Sequence, residues 1–150
     1  MSKDLGDLEL GARTHAWDWF ALHAGQRMQT FNYFLVATAF LAAAYASLLD
    51  KSPGAAAGVA VIGAWVGYWF TRLDRRIRQL INAGEAALVV AQARLAESTG
   101  IQSIKMLEHV MLPEPGASSY RQVIAVLEWS IVATFSAATV YALFLVIISS

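Results

Sequence analysis

Residues 31–70 read FNYFLVATAFLAAAYASLLDKSPGAAAGVAVIGAWVGYWF, two uncharged apolar runs on either side of a polar turn at residues 50–53. Each run is about 25–30 Å long as a helix, which is enough to cross the hydrocarbon core of a bilayer. Helices joined by so short a turn run antiparallel, side by side. The stretch therefore predicts a transmembrane hairpin with spans at residues 31–49 and 54–71.

The composition is typical of a membrane protein. Hydrophobic residues make up 57% of the 150-residue chain and charged residues 15%, against about 45–50% and about 25% in soluble proteins. The net charge is zero, so no overall field attracts nucleic acid directly. Cysteine is absent, and His15, His23 and His109 do not have the spacing of a metal pair on a helix. We therefore predict no enzymatic activity, no catalytic site, no metal and no cofactor.

Residues 1–30 form a polar but patterned segment before the first span. A helical wheel places six positions on one face: Leu5, Leu8, Ala12, Ala16, Trp19 and His23. This pattern predicts an amphipathic helix, lying on the inner membrane surface or against the chain's own cytosolic helices. Gly25 is the expected place for a bend before the span.

A cluster of arginines directly after the second span sets the orientation. Its members are Arg72, Arg75, Arg76 and Arg78. Seven of the eleven basic residues fall between residues 72 and 121, and basic loops remain in the cytoplasm. We predict a bacterial inner-membrane protein with its N-terminus and residues 72–119 in the cytoplasm and its C-terminus outside. The same cluster has the chemistry for a contact with anionic lipid or phosphate.

Two cytosolic helices are predicted after the second span, over residues 72–98 and 101–112. The first carries an apolar stripe formed by Leu73, Ile77, Leu80, Gly84, Leu88, Ala91 and Leu95. Because the helix of residues 1–30 also starts at the membrane in the cytoplasm, we expect it to pack against this stripe. Asp74 and Arg78 have the spacing of a surface ion pair.

A third apolar run over residues 120–148 is also long enough to span. The predicted fold is all-α: one domain, residues 1–150, with three transmembrane helices and amphipathic cytosolic helices. Glu128 lies near the inner end of the third run. It either reaches the headgroups or Arg121, or it faces the bundle interior or a water-filled path, where intramembrane acids are usually functional.

Gly63 and Gly67 in the second span have small-xxx-small spacing, which lets helix backbones approach closely. This spacing predicts either oligomer packing or packing of the second span on the first. His23, Arg27 and Asn32 lead into the first span, where they form an interfacial anchor or part of a switch.

In the switch hypothesis, His23 and Arg27 lie at a hinge between the cytosolic helix pair and the spans, with Ile77 on the facing stripe. Such a hinge would couple cytosolic events to the hairpin. The predicted gating or interface residues are these three together with Asn32 and Glu128.

The layout resembles the SLATT-type small membrane effectors of bacterial conflict systems. The resemblance covers residues 10–98 and rests on an aromatic-rich segment with Trp17, Trp19 and His23, a tight two-span hairpin, and the following helix that begins LDRRIRQLI. The third span departs from the two-span core of that family. The resemblance implies a homo-oligomer that opens a pore and depolarises the cell when a partner senses infection.

Two functions remain open from the sequence. The first is a homo-oligomeric pore-forming or membrane-perturbing effector in anti-phage defence, gated through its cytosolic helices and answering to a separate sensor or activator protein. The second is a non-conducting scaffold or accessory subunit of a larger membrane complex. Membrane lipids are partners in both. The few polar residues in the spans favour a pore that is closed at rest, or no pore.

Overall fold

The computed structural model describes residues 2–111 and 120–149. Four α-helices follow one another along the chain: α1 (Ser2–Leu49), α2 (Pro53–Thr99), α3 (Met106–Met111) and α4 (Tyr120–Ile148). A short 3₁₀ turn, Gln102–Ile104, precedes α3. The described residues contain no strand, which confirms the all-helical class. Three helices, α1, α2 and α4, are long and apolar enough to cross a membrane.

The helix ends follow the local sequence as predicted. After α1, the Ser52 N–H donates to the Leu48 carbonyl at 2.8 Å, and Pro53 then opens α2, where a missing N–H costs nothing. At the other end of α2, Gly100 has a positive φ of 76°. This left-handed conformation is the one that favours glycine directly after a helix.

Helix α1 is continuous through Gly25, so this glycine does not break the helix. Helical hydrogen bonding is cooperative, whereas one interior glycine costs only about 1 kcal/mol relative to alanine. A single glycine is therefore too weak to end a helix that continues on both sides.

The predicted single helix over residues 101–112 is instead divided. Lys105 has φ −75° and ψ 50°, outside the α region, so the 3₁₀ turn and α3 are separate elements. The Leu107 N–H at the start of α3 donates to the side-chain oxygen of Gln92 at 3.1 Å. That hydrogen bond satisfies one of the open donors of a helix start. Residue 112 lies outside the described residues.

The chain divides into two compact units. Unit 1 comprises Met1–Met28 and Arg76–Ala117, and unit 2 comprises Gln29–Arg75 and Ser118–Ser150. Of the most apolar 18 residues in each long helix, 39% are buried in α2 but only 6% in α1 and 11% in α4. Helix α2 is therefore the central one of the three apolar helices.

Candidate functional site

In unit 1, α1 is attached to α2 through Trp19. The indole N–H of Trp19 donates to the backbone carbonyl of Leu80 at 3.0 Å. One turn later in α2, Gly84 is buried, and a Cβ at that position would lie 3.1 Å from the Trp19 ring and 3.2 Å from the Phe20 Cβ. The missing side chain of Gly84 thus lets an aromatic residue reach a main-chain carbonyl of the opposite helix.

His23 supports Trp19 from one turn further along α1. The two rings are 4.4 Å apart between centroids, and the Nδ1 atom of His23 lies 2.8 Å from the Trp19 carbonyl oxygen. His15, one turn before Trp19, has its ring centroid 6.4 Å from the indole. Stacking against rings on both sides restricts the indole to the orientation that reaches α2.

The packing of α1 on α2 in unit 1 was predicted and is confirmed through Trp19 and Gly84, although some positions of both predicted faces lie outside the contact. On α1, Ala16 and Arg27 are buried, whereas Leu8 is 70% exposed. The contact centres on Gly84, because Trp19 and Phe20 fill the space above it. The buried α2 residues of this unit are Ile77, Ile81, Gly84, Leu88 and Ala96. Leu73, predicted at the end of the stripe, belongs to unit 2 and is 47% exposed.

In unit 2, the two predicted glycines lie against α4. A Cβ on Gly63 would overlap the Phe135 ring, and one on Gly67 would lie 2.9 Å from the Val132 side chain. One interpretation was that these glycines pack the second span on the first. It is wrong, because α4 rather than α1 lies against this face of α2. A role for Gly63 and Gly67 in oligomer packing stays a prediction, and it requires a second copy to reach a face that α4 covers.

Helix α1 is attached to the rest of unit 2 by aromatic residues. The hydroxyl of Tyr45 donates to the carbonyl of Ala138 in α4 at 3.1 Å. Phe34 stacks on Phe70 of α2 with ring centroids 4.0 Å apart and planes 7° from parallel. Near the turn, Tyr45 also packs against a cluster of fully or nearly fully buried alanines: Ala56, Ala57 and Ala142.

Unit 2 buries two carboxylates. Glu128 is 1% exposed and Asp74 is 3% exposed. Gly63 lies against Phe135 and Gly67 against Val132, so α2 and α4 run antiparallel. One helical turn further along, Thr71 of α2 is at the same level as Glu128 of α4. Of the two interpretations of Glu128, the structure contradicts an orientation towards the headgroups and places the side chain in the bundle interior. Asp74 was predicted at the surface and is buried.

The arginine cluster is largely exposed, as its predicted contact with anionic lipid or phosphate requires. Arg72 lies over the Tyr68 ring at 5.8 Å, Arg75 is exposed, and Arg76 donates to the Gln79 side chain at 3.2 Å. Arg78 is half-buried, and Asn32, the remaining predicted gating residue, is exposed in unit 2. Nothing in these positions tests the lipid contact.

Hydroxyl groups of α4 are satisfied within their own helix. Ser130, Thr134, Ser136 and Thr139 donate to the carbonyl four residues earlier, at 2.8–2.9 Å. A hydroxyl bonded in this way needs neither water nor a neighbouring helix. Within the described ranges, no group of three or more His, Asp or Glu side chains is placed to hold a metal ion.

Comparison with known proteins gives one partial likeness. The chain is 35% identical over 80 residues to CD-NTase-associated protein 19 of Escherichia coli. The matched region is 51% of this chain and 53% of that protein, so the chain spans about half the length of the curated relative it matches. No family model matches the chain, so the SLATT resemblance stays a hypothesis. No solved structure matches it either.

Sequence reasoning placed Trp19 on the α1 face that packs against α2, but it did not identify the hydrogen bonds of Trp19 and Tyr45. Both acceptors are main-chain carbonyls, which carry no sequence signal. A small residue one turn after each acceptor, Gly84 after Leu80 and Ala142 after Ala138, is the one feature that was visible in advance.

Proposed function

We propose that this protein is a homo-oligomeric inner-membrane effector of anti-phage defence, which forms a pore or perturbs the membrane and is gated through its cytosolic helices. The observation that carries this proposal is the pair of long helices α1 and α2. Each runs without a break from unit 1 into unit 2. A change in unit 1 therefore has a covalent helical path to the apolar unit.

Membrane insertion is supported by the surface of unit 2. Large apolar side chains remain exposed on all three long helices there, including Phe40 at 73%, Val140 at 70% and Ile147 at 76%. A contiguous apolar surface of this kind is unfavourable in water and favourable in lipid. We propose from the arginine distribution that unit 1 is cytoplasmic and that the C-terminus lies outside.

A pore closed at rest agrees with the contacts of unit 2. The hydroxyls of α4 are satisfied by their own helix, and the glycine face of α2 is filled by Phe135 and Val132. Because these groups are engaged within one copy, we propose that conduction requires several copies and a change of packing. The two packings of such a switch differ by only a few kcal/mol.

The relative's name, CD-NTase-associated protein 19, supports an association with a separate partner protein, and we propose anti-phage defence as its setting. Because the likeness covers about half of each chain, the trigger and the activating partner belong to the proposal. We propose that a separate sensor or activator protein acts on unit 1, where His23, Arg27 and Ile77 lie.

The test is membrane potential in bacteria that express the protein and are then infected with phage, read with a potential-sensitive dye. We expect depolarisation with the wild type, and altered onset with His23→Ala, Arg27→Ala and Ile77→Asp at equal membrane content. Asn82→Ala, which changes an exposed residue of α2 in the same unit, is the matched control. Infected cells that keep their potential would contradict the proposal.

A non-conducting scaffold is the second candidate, and the four α4 hydroxyls that donate to carbonyls of their own helix favour it. In that case purified protein in liposomes would release no trapped ions under any condition, yet would co-purify with a defined membrane complex. Ion release from liposomes that contain this protein alone would exclude the scaffold.

A further inference from the structure

Unit 1 contains a groove between α1 and α2 that the contacts described so far do not fill. The groove has a volume of about 640 Å³. Small residues from both helices are part of its lining: Gly6, Ala12, Ala16, Ala87 and Ala91. Leu10 and Val90 also line it and remain 52% and 54% exposed. A groove between two helices that is lined by small and apolar residues can receive a third helix.

Two arginines give the groove a positive rim. Arg13 of α1 and Arg94 of α2 both line it. Glu9 is the one acidic lining residue, and its carboxylate lies 3.7 Å from the Arg94 guanidinium, with both side chains 71% exposed. A pair as exposed as this is weak, so a partner that brings further carboxylates can compete for Arg94.

The opposite side of α1 carries a matching surface, which we call the outer row. It consists of Asp7, Gly11, Thr14, Asp18, Ala21 and Gly25. All six are exposed, and a Cβ on Gly11 or Gly25 would meet no atom within 4 Å. The steps of four and three residues are those of a coiled-coil seam, along which two helices pack closely.

We propose that the groove of one copy receives the outer row of α1 from a second copy of this chain. The charges are complementary, because the rim presents Arg13 and Arg94 and the row presents Asp7 and Asp18. The acids of the outer row disfavour an anionic membrane surface as its partner, because like charges repel. This inference rests on the homo-oligomer of the proposed function and names the contact that builds it.

Groove and outer row are different surfaces of one copy, so the contact is heterologous. Each copy offers its row to one neighbour and its groove to the other, and the assembly closes into a ring when the rotation allows it. A ring is the arrangement that a pore with one central path requires. Unit 2 then contributes its spans around that path without using Gly63 and Gly67 for self-association.

Charge-reversal variants test the groove and the outer row separately. The groove variant is Arg13→Glu with Arg94→Glu, and the row variant is Asp7→Arg with Asp18→Arg. Each variant alone faces like charges across the contact, and we expect it to lose the oligomer in detergent. Co-expressed with two different tags, the variants restore opposite charges at every contact and should assemble in alternation. Glu97→Arg, an exposed reversal elsewhere in unit 1, should keep the wild-type size.

Cysteine cross-linking tests the contact directly, because the chain has no cysteine of its own. Ala21→Cys marks the outer row and Ala87→Cys marks the groove lining. Co-expressed full-length copies carrying one change each should be joined by a short thiol-to-thiol reagent, and neither alone should be joined. No cross-link in the mixture, cross-linking of Ala21→Cys with itself, or quenching of a label at residue 21 by spin-labelled lipid would each overturn the proposal.

The dye measurement keeps the two proposals distinguishable. A cross-linked, correctly alternating oligomer in infected cells that retain their potential leaves the contact standing and contradicts the pore. Depolarisation by the groove variant expressed alone would support the pore and contradict this contact, because conduction would then not depend on it.

Discussion

The indole N–H of Trp19 donates to the Leu80 carbonyl at 3.0 Å, over the surface that Gly84 leaves open. Tyr45 makes a similar contact in unit 2, where its hydroxyl donates to the Ala138 carbonyl. In both cases α1 contributes an aromatic donor and the partner helix contributes a carbonyl followed one turn later by a small residue. In each unit, α1 is thus attached by a side chain that donates a hydrogen bond to a main-chain carbonyl of the neighbouring helix.

Filling the space above Gly84 should weaken the attachment of α1 in unit 1. Gly84→Leu places side-chain atoms where the Trp19 ring and the Phe20 backbone lie, and overpacking of this kind costs about 1–3 kcal/mol. The midpoint of unfolding in a titration with sodium dodecyl sulfate would measure the loss. Ala83→Leu, on the exposed neighbouring position, is the control, and equal midpoints for the two variants would contradict the contact.

Removing the indole donor alone should have a smaller effect. Trp19→Phe keeps an aromatic ring next to His23 but loses the hydrogen bond to Leu80, which is worth about 0.5–1.5 kcal/mol. The same titration measures it. Trp17→Phe, at a position that is 57% exposed, should leave the midpoint unchanged, and an equal shift in both variants would show that ring size rather than the donor matters.

The glycine face of α2 should respond strongly to substitution within a single copy. Gly63→Leu cannot be accommodated without moving Phe135, so we expect α4 to separate from α2 and the bundle to lose at least about 1–3 kcal/mol. Gly58→Leu is the matched control, since its Cβ would meet no atom within 4 Å. Protease resistance of α4 in micelles reports the separation. A Gly63→Leu protein that resists protease like the wild type would place α4 elsewhere.

Tyr45→Phe should destabilise unit 2 slightly, because hydrogen bonds between helices in membranes contribute about 0.6 kcal/mol on average. The comparison is with Tyr141→Phe, on the 52% exposed side of α4. A loss confined to Tyr45→Phe in the unfolding midpoint supports the bond to Ala138. Identical losses in both variants would show that the effect comes from removing a tyrosine hydroxyl in general and not from the bond to Ala138.

The orientation is open to a direct test with reporter fusions at residues 1, 52, 100 and 150. We expect cytoplasmic reporter activity at residues 1 and 100 and external activity at residues 52 and 150, as the arginine distribution requires. The result that would contradict this topology is cytoplasmic activity at residue 150.

The bounds of the third apolar helix and the end of α2 were determined by the sequence itself, whereas the division of residues 101–112 was not. The third apolar run was predicted over residues 120–148, and α4 is Tyr120–Ile148. The end of α2 was predicted at Thr99 and Gly100, and α2 ends at Thr99. These features depend on local properties, namely the length of an apolar run, the fixed φ of proline and the left-handed conformation of glycine. Such properties can be recognised from residues that are adjacent in the sequence.

The faces on which the helices meet were decided only by tertiary structure. Periodicity alone predicted Leu8 and Leu73 in the contact and Asp74 on the surface. In the structure, Leu8 and Leu73 are exposed and Asp74 is buried. A helical wheel fixes a face only to within about one residue, whereas the rotation of each helix depends on what fills its largest gaps. Here those gaps lie over Gly84, Gly63 and Gly67. The residues that fill them are distant in sequence, so no local pattern specifies the match.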